Sequence, residues 1–95
     1  MTAALPLIQY WDQADPPKAI AERMQQWRQQ HRGWCYQRFN RQTAAALIRE
    51  HYGLALEQAF LDIRLPAMQA DALRIAVLLA WGGLWIDAAT TCFSP

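Results

Sequence analysis

Residues 70–92, "ADALRIAVLLAWGGLWIDAATTC", decide how this chain folds. An acid and a base three positions apart, Asp71 and Arg74, open an apolar run. Gly82-Gly83 breaks the run, and "LWID" follows, closing on Asp87. Between Arg74 and Asp87 there are about twelve residues, short of the roughly twenty that a membrane-spanning helix needs. The stretch reads as a helix from Pro66 to about Trp81, stopped by glycine, then a short buried strand. A helix feeding a parallel strand runs antiparallel to it. From Arg74 to Trp81 the helix descends about 10 Å; from Leu84 to Asp87 the strand climbs about 10 Å. Asp87 is therefore expected at the height of Arg74, with Asp71 one turn above.

The same reading extends toward the N-terminus. "LPLIQYW" is short and apolar between Pro6 and Asp12, which predicts a buried strand over about residues 7–11. "QADPPK" is a turn, with Asp15 placed to cap a helix whose first positions hold Pro16 and Pro17. Ile20, Met24 and Trp27 give that helix an apolar stripe, and Gly33 is its expected stop. "WCYQRF" has the aromatic content of a second strand. Residues 41–52 form an amphipathic helix with Ala44, Leu47, Ile48 and Tyr52 inward and Gly53 as its end. "LALEQAFLDI" is a short helix or helical turn. The order, strand, helix, strand, helix, helix, strand, argues for an α/β layer with a small parallel sheet of about three strands and right-handed crossovers.

At 95 residues the chain is one domain at most, or part of one. A hydrophobic content of 54% excludes a disordered tail. Nine basic residues against eight acidic ones leave a net charge of +1, so nucleic acid is not an expected partner. Arg23, Arg28, Arg32, Arg38 and Arg41, interleaved with Gln, read as a solvated face rather than an anion-binding patch. Cys35 and Cys92 make neither a disulfide framework nor a metal spacing, and read as buried free thiols in a reducing compartment. "MTAALPLIQYW" lacks a basic segment followed by a long apolar core, so no signal peptide is expected, and the cytoplasm is the expected location.

In an open parallel sheet, ligands bind at the carboxyl edge of the strands, where the strand order reverses. Trp11, Asp12 and Asp87 are expected at that edge. Asp71 and Arg74 have two readings. As an i,i+3 surface ion pair they contribute a few tenths of a kcal/mol. Alternatively, the helix around them is apolar on every side and hence buried, and buried charges need partners or a function. The second reading is the expectation carried forward. His31 and His51 read as surface residues, and no nucleophile–base pair or Gly-rich phosphate loop is present.

"IQYW" together with "QADALRIAVLLAWGGLWIDA" resembles the nucleotide-sugar-binding N-terminal half of the DXD-type glycosyltransferases. Within them it looks most like glycosyltransferase family 32 and its capsular polysaccharide synthesis branch. The pattern is an opening strand ending in Trp, an Ala-Asp-x-x-Arg helix, and Gly-Gly-x-x-x-Asp: here Trp11, Asp71, Arg74, Gly82, Gly83 and Asp87. The resemblance implies a Rossmann-like, partial GT-A fold that binds a UDP- or GDP-sugar and transfers the sugar with retention of configuration. Trp11 would stack on the base, and Asp71 and Arg74 would hold sugar hydroxyls, Arg74 also offsetting diphosphate charge. Asp87, the first acid of DXD, would contact ribose and sugar, and Asn40 is a looser candidate for the nucleotide pocket. The second acid is replaced by Ala89 in Asp87-Ala88-Ala89. That leaves Asp87 as the metal candidate and weakens the implied Mn²⁺ or Mg²⁺, which prefer carboxylate and phosphate oxygens.

In the fold that the resemblance implies, the half that binds the acceptor and completes the diphosphate site is missing from these 95 residues, so this chain alone, whether a fragment or a remnant kept for another purpose, is expected to show little turnover, and the complete enzyme is expected to associate peripherally with a membrane. The alternative is a degenerate, non-catalytic α/β module that binds nucleotide weakly or acts as a homo-oligomer. An interfacial protein using a Trp-rich surface is a third reading, disfavoured by the balanced charge.

Overall fold

The computed structural model describes residues 5–90. Its elements run β1 (Pro6–Tyr10), α1 (Lys18–Gln30), β2 (Cys35–Phe39), α2 (Arg41–Tyr52), α3 (Leu54–Asp62), α4 (Pro66–Trp81) and β3 (Leu84–Trp85). The strands form one sheet in the order β2-β1-β3, all parallel. This is an α/β architecture, a partial Rossmann-like fold with four helices flanking three strands. The expected fold class is the observed one.

Strand β1 sits in the centre because it alone is apolar enough to be covered twice. Leu7, Ile8, Gln9 and Tyr10 are all buried, whereas both edge strands keep exposed residues. Alternation along β1 divides its side chains between two layers. Ile8 and Tyr10 join Phe39 in the main core with Ala44, Leu47 and Ile48 of α2, Phe60 of α3, and Leu73 and Val77 of α4. Leu7 and Gln9 point the other way, to the face covered by α1, where Met24 is 1% exposed. The two layers follow from topology. The chain steps from β1 to β2 in one direction, then back across β1 to β3, and crossovers of one hand in opposite directions lay their helices on opposite faces.

Helix boundaries follow local chemistry. Asn40 caps α2, accepting from the Thr43 N–H at 2.9 Å while the Thr43 hydroxyl accepts from the Asn40 N–H, also at 2.9 Å. Gly53 ends α2 at φ 95° and opens α3, a full helix where a single turn was also open. Pro66 opens α4 and Gly82 closes it, as expected. Asp15 does not cap α1. Pro17, at φ −54° and ψ 153°, is the N-cap, because two consecutive prolines push the helix start beyond the reach of Asp15. The helix also stops at His31, ahead of Gly33. Cys35 is exposed rather than buried, since it opens an edge strand, where its sulfur accepts from the Gln37 amide at 3.2 Å; Cys92 lies outside the described residues. No helix among the described residues is long and apolar enough to cross a membrane.

The turn into β3 is the tightest place in the fold. Gly83 has φ 101°, and a Cβ there would collide with the carbonyl oxygen of Pro6, the first residue of β1. Backbone and glycine are thus in direct apposition where β3 begins to pair. Gly83→Ala is expected to lower stability by about 2–4 kcal/mol, from left-handed strain and displacement of the β1 backbone. Gly33→Ala, where nothing stands within 4 Å, is the matched control, and chemical denaturation compares them.

Candidate functional site

Parallel strands that share β1 but leave it in opposite directions create a switch point at their carboxyl ends, and a cavity of about 400 Å³ lies there. Tyr10, Trp11 and Asp12 supply the β1 wall, Pro66, Ala67 and Ala70 the start of α4, and Asp87, Ala88 and Ala89 the segment after β3. Each wall has a structural cause. Trp11 is held by its N–H donating to the Phe39 carbonyl at 3.0 Å, and the Asp12 carbonyl accepts from the Arg41 N–H at 3.0 Å. The Ile86 N–H donates to the Ile8 carbonyl at 3.0 Å, carrying β3 past its last paired residue and delivering Asp87 to the rim.

Two polar groups on the residues that line this cavity stand out. The Asp87 carboxylate is exposed and accepts from the Trp85 indole N–H at 3.2 Å. The Trp11 indole N–H is buried with no hydrogen-bond partner among the described residues, a donor whose desolvation nothing in the fold offsets. Below them the Tyr10 hydroxyl donates to Gln69 Oε1 at 3.0 Å, and the Gln69 amide nitrogen donates to the Ile63 carbonyl at 3.0 Å. Burial first, and then the Asp12 carboxylate, push the Tyr10 phenol up to about 12, against the opposing pull of Arg41. Tyr10 is therefore a neutral floor at any physiological pH.

The loop carrying Asp87 is fastened from the other layer. Arg23 of α1 donates to the Ala89 carbonyl and Trp27 to the Thr90 carbonyl, each at 2.9 Å. Neither contact was legible in the sequence, because they join positions 66 and 63 residues apart. Asp12 had a signal, as the acid directly after Trp11, but was not singled out as a site residue.

The structure thus brings Trp11 and Asp87 to one cavity and leaves three expected site residues beside it. Asn40 lies at the end of β2, in a second cavity with Asp12 and Arg41, and its side chain is occupied as the α2 cap. Asp71 and Arg74 pair with each other at 3.8 Å, with side chains 70% and 49% exposed. The expectation that α4 is buried all round is corrected here. Its outer side carries Met68, Ile75 and Leu79 at 55%, 61% and 77% exposure, so apolar composition alone did not mean burial. Arg74 remains on the stripe that lines the cavity, four positions from Ala70 and seven from Ala67. Asp87 reaches the level of Pro66 to Ala70, higher than the expected height of Arg74.

The apolar cavity between α3 and α4, about 290 Å³ and walled by residues such as Leu56, Phe60, Ile75 and Leu79, has one polar side chain, Tyr52, whose hydroxyl proton is already given to the Ala76 carbonyl at 2.6 Å, and it holds no charged group. The site at the switch point does. An open parallel α/β sheet with an aromatic and an acid at its reversal point is of the Rossmann-like class, in which that edge is the usual place for a ligand. Residues 17–95 match the model of the family described as the glycosyltransferase sugar-binding region containing a DXD motif. The chain belongs to this family. No curated protein and no solved structure matches it.

The family's motif implies a divalent metal, and the residues at Asp87-Ala88-Ala89 do not fit one. Ala89 offers a methyl group where an acid would stand, and its carbonyl is taken by Arg23, as that of Thr90 is by Trp27. Among the described residues no three His, Cys, Asp or Glu side chains converge.

Two outcomes follow from these environments. Asp71→Ala should change unfolding free energy by no more than about 0.5 kcal/mol, as expected for an exposed ion pair. The Tyr10 phenol binds its proton more tightly folded than unfolded, so its contribution is complete below the ordinary value of 10 and is lost as pH rises toward about 12. Unfolding free energy measured over that window should fall more steeply in the wild type than in Tyr10→Phe.

Proposed function

We propose that this chain is the donor-binding half of a retaining glycosyltransferase with a GT-A fold, from the family 32-like branch that builds capsular or other surface polysaccharide. Residues 1–95 are then its N-terminal half, and the donor is a UDP- or GDP-sugar. The observation that carries the reading is the placement of Trp11 and Asp87 across one cavity at the switch point, in a chain of the sugar-binding family. A base stacked on the exposed part of the Trp11 ring uses the aromatic plane of the indole. Asp87 accepts from ribose or sugar hydroxyls, for which a carboxylate is a strong acceptor. Ala67 and Ala70 leave space along α4, and Arg74, if drawn from Asp71, extends toward the cavity along its own stripe to meet the diphosphate. With Ala89 in place of the second acid, donor binding proceeds through these side chains.

Isothermal titration with UDP-glucose and GDP-mannose tests this. One of them should give a saturable heat that survives EDTA and falls at least about tenfold in affinity in Asp87→Asn, where one charge-assisted bond is lost. Equal, weak heats for wild type, Asp87→Asn and Trp11→Ala would contradict it.

A second reading has one observation in its favour. The outer side of α4, with Leu54 and Leu56 of α3, leaves large apolar side chains in solvent around the apolar cavity. A non-catalytic module that self-associates would cover that surface.

A further inference from the structure

The arginines between residues 23 and 41 do not all lie idle on a solvated face. Arg23, Arg38 and Arg41 donate to the carbonyls of Ala89, Ala14 and Leu61, each at 2.9 Å. Arg38 is then brought opposite Arg28 of α1 across an open cavity of about 300 Å³, on the sheet face away from Asp87. Met24, Gln25 and Tyr36 complete its walls, and no acid is among them. Asp71–Arg74 is the one ion pair among the described residues, so no carboxylate neutralises Arg28 or Arg38. Both guanidiniums act on the Tyr36 phenol: burial raises its pKa, and Arg38 and Arg28 pull it back.

An independent feature lies beneath. The Tyr36 hydroxyl donates to Gln9 Oε1 at 2.7 Å, and Gln9 is 0% exposed on the central strand. The Gln9 amide nitrogen has no hydrogen-bond partner among the described residues. A buried amide with a paired oxygen and an orphan NH₂ is the costlier of its two orientations, since unpaired donors are rarer and less tolerated than under-used carbonyls. Turned over, Gln9 donates to the Tyr36 oxygen and releases the hydroxyl proton toward the cavity. An acceptor placed there would favour that orientation.

We propose that Arg28, Arg38 and Tyr36, backed by Gln9, bind the phosphate group of a soluble ligand on the face opposite the Asp87 cavity. Two permanent positive charges match a phosphate monoester, which carries about −1.5 to −2 at neutral pH, better than they match a carboxylate. Guanidinium forks from a helix and a strand approach its oxygens from two sides, and the Tyr36 hydroxyl supplies a third donor. The cavity is several times the roughly 30 Å³ that one water occupies in the liquid, enough for a phosphate group with part of its ester.

Two-dimensional ¹H–¹⁵N NMR with inorganic phosphate tests this, with sodium chloride at matched ionic strength as the reference. Saturable shifts are expected at the Gln9 side-chain NH₂ and at Tyr36, absent with chloride. Arg28→Gln should weaken them about tenfold, the loss of one charge-assisted contact. The Arg28 side chain is exposed and makes no hydrogen bond among the described residues, so this variant is expected to keep the fold. Tyr36→Phe should remove the Gln9 response. Shifts that follow ionic strength alone, or that persist unchanged in Arg28→Gln, would overturn the proposal. So would silence toward phosphate combined with pelleting by phosphatidic acid–phosphatidylcholine vesicles, which would assign the arginines to a membrane surface.

Discussion

Strand β1 is hydrogen-bonded in parallel along both of its edges, to β2 from Pro6 to Tyr10 and to β3 at Leu7 and Ile8. Everything else in the chain is arranged around that double pairing. A central strand of a parallel sheet has crossover helices over both faces, and four consecutive buried residues suit that position. Because β2 and β3 leave β1 in opposite directions, the helices divide between two layers and the loops part at the carboxyl edge. The gap so opened is the cavity that holds Trp11 and Asp87. Gly83 guards the same geometry at the opposite edge, where any side chain would push into Pro6.

The chemistry at the edge is held by contacts that cross the sheet. Asp87 stands on a loop with only a two-residue strand behind it, a weak support by itself. The added support comes from α1, whose Arg23 and Trp27 take two successive carbonyls of that loop. Trp27 is itself stacked on His31, with ring centroids 4.9 Å apart. The layer opposite the cavity thus sets the position of the acid in the cavity.

Much of the fold was legible because its signals are local. Gly53, Pro66 and the Gly82-Gly83 pair punctuate the helices by backbone geometry that needs no tertiary context, and Asn40 and Thr43 form their cap within one turn. The site was legible to the extent that it depends on strand ends: Trp11 and Asp87 follow from topology. What depends on packing was not. The exposure of α4 was misjudged because an all-apolar helix can be half-covered as well as wholly covered, and periodicity cannot tell them apart. The convergence of Arg28 and Arg38 was hidden for a related reason, since one lies on a helix and the other on a strand and no spacing rule relates them. Asp15 failed as a cap because two prolines intervened.

The central claim is that the switch-point cavity between Trp11 and Asp87 receives the nucleotide of the donor. Photolabelling with 5-azido-UDP-glucose, followed by peptide mapping of the adduct, tests where the base lands. The account predicts labelling on the segment around Trp11, suppressed by excess UDP-glucose and by Asp87→Asn. Labelling concentrated on α3 and the outer side of α4, indifferent to competitor, would contradict it.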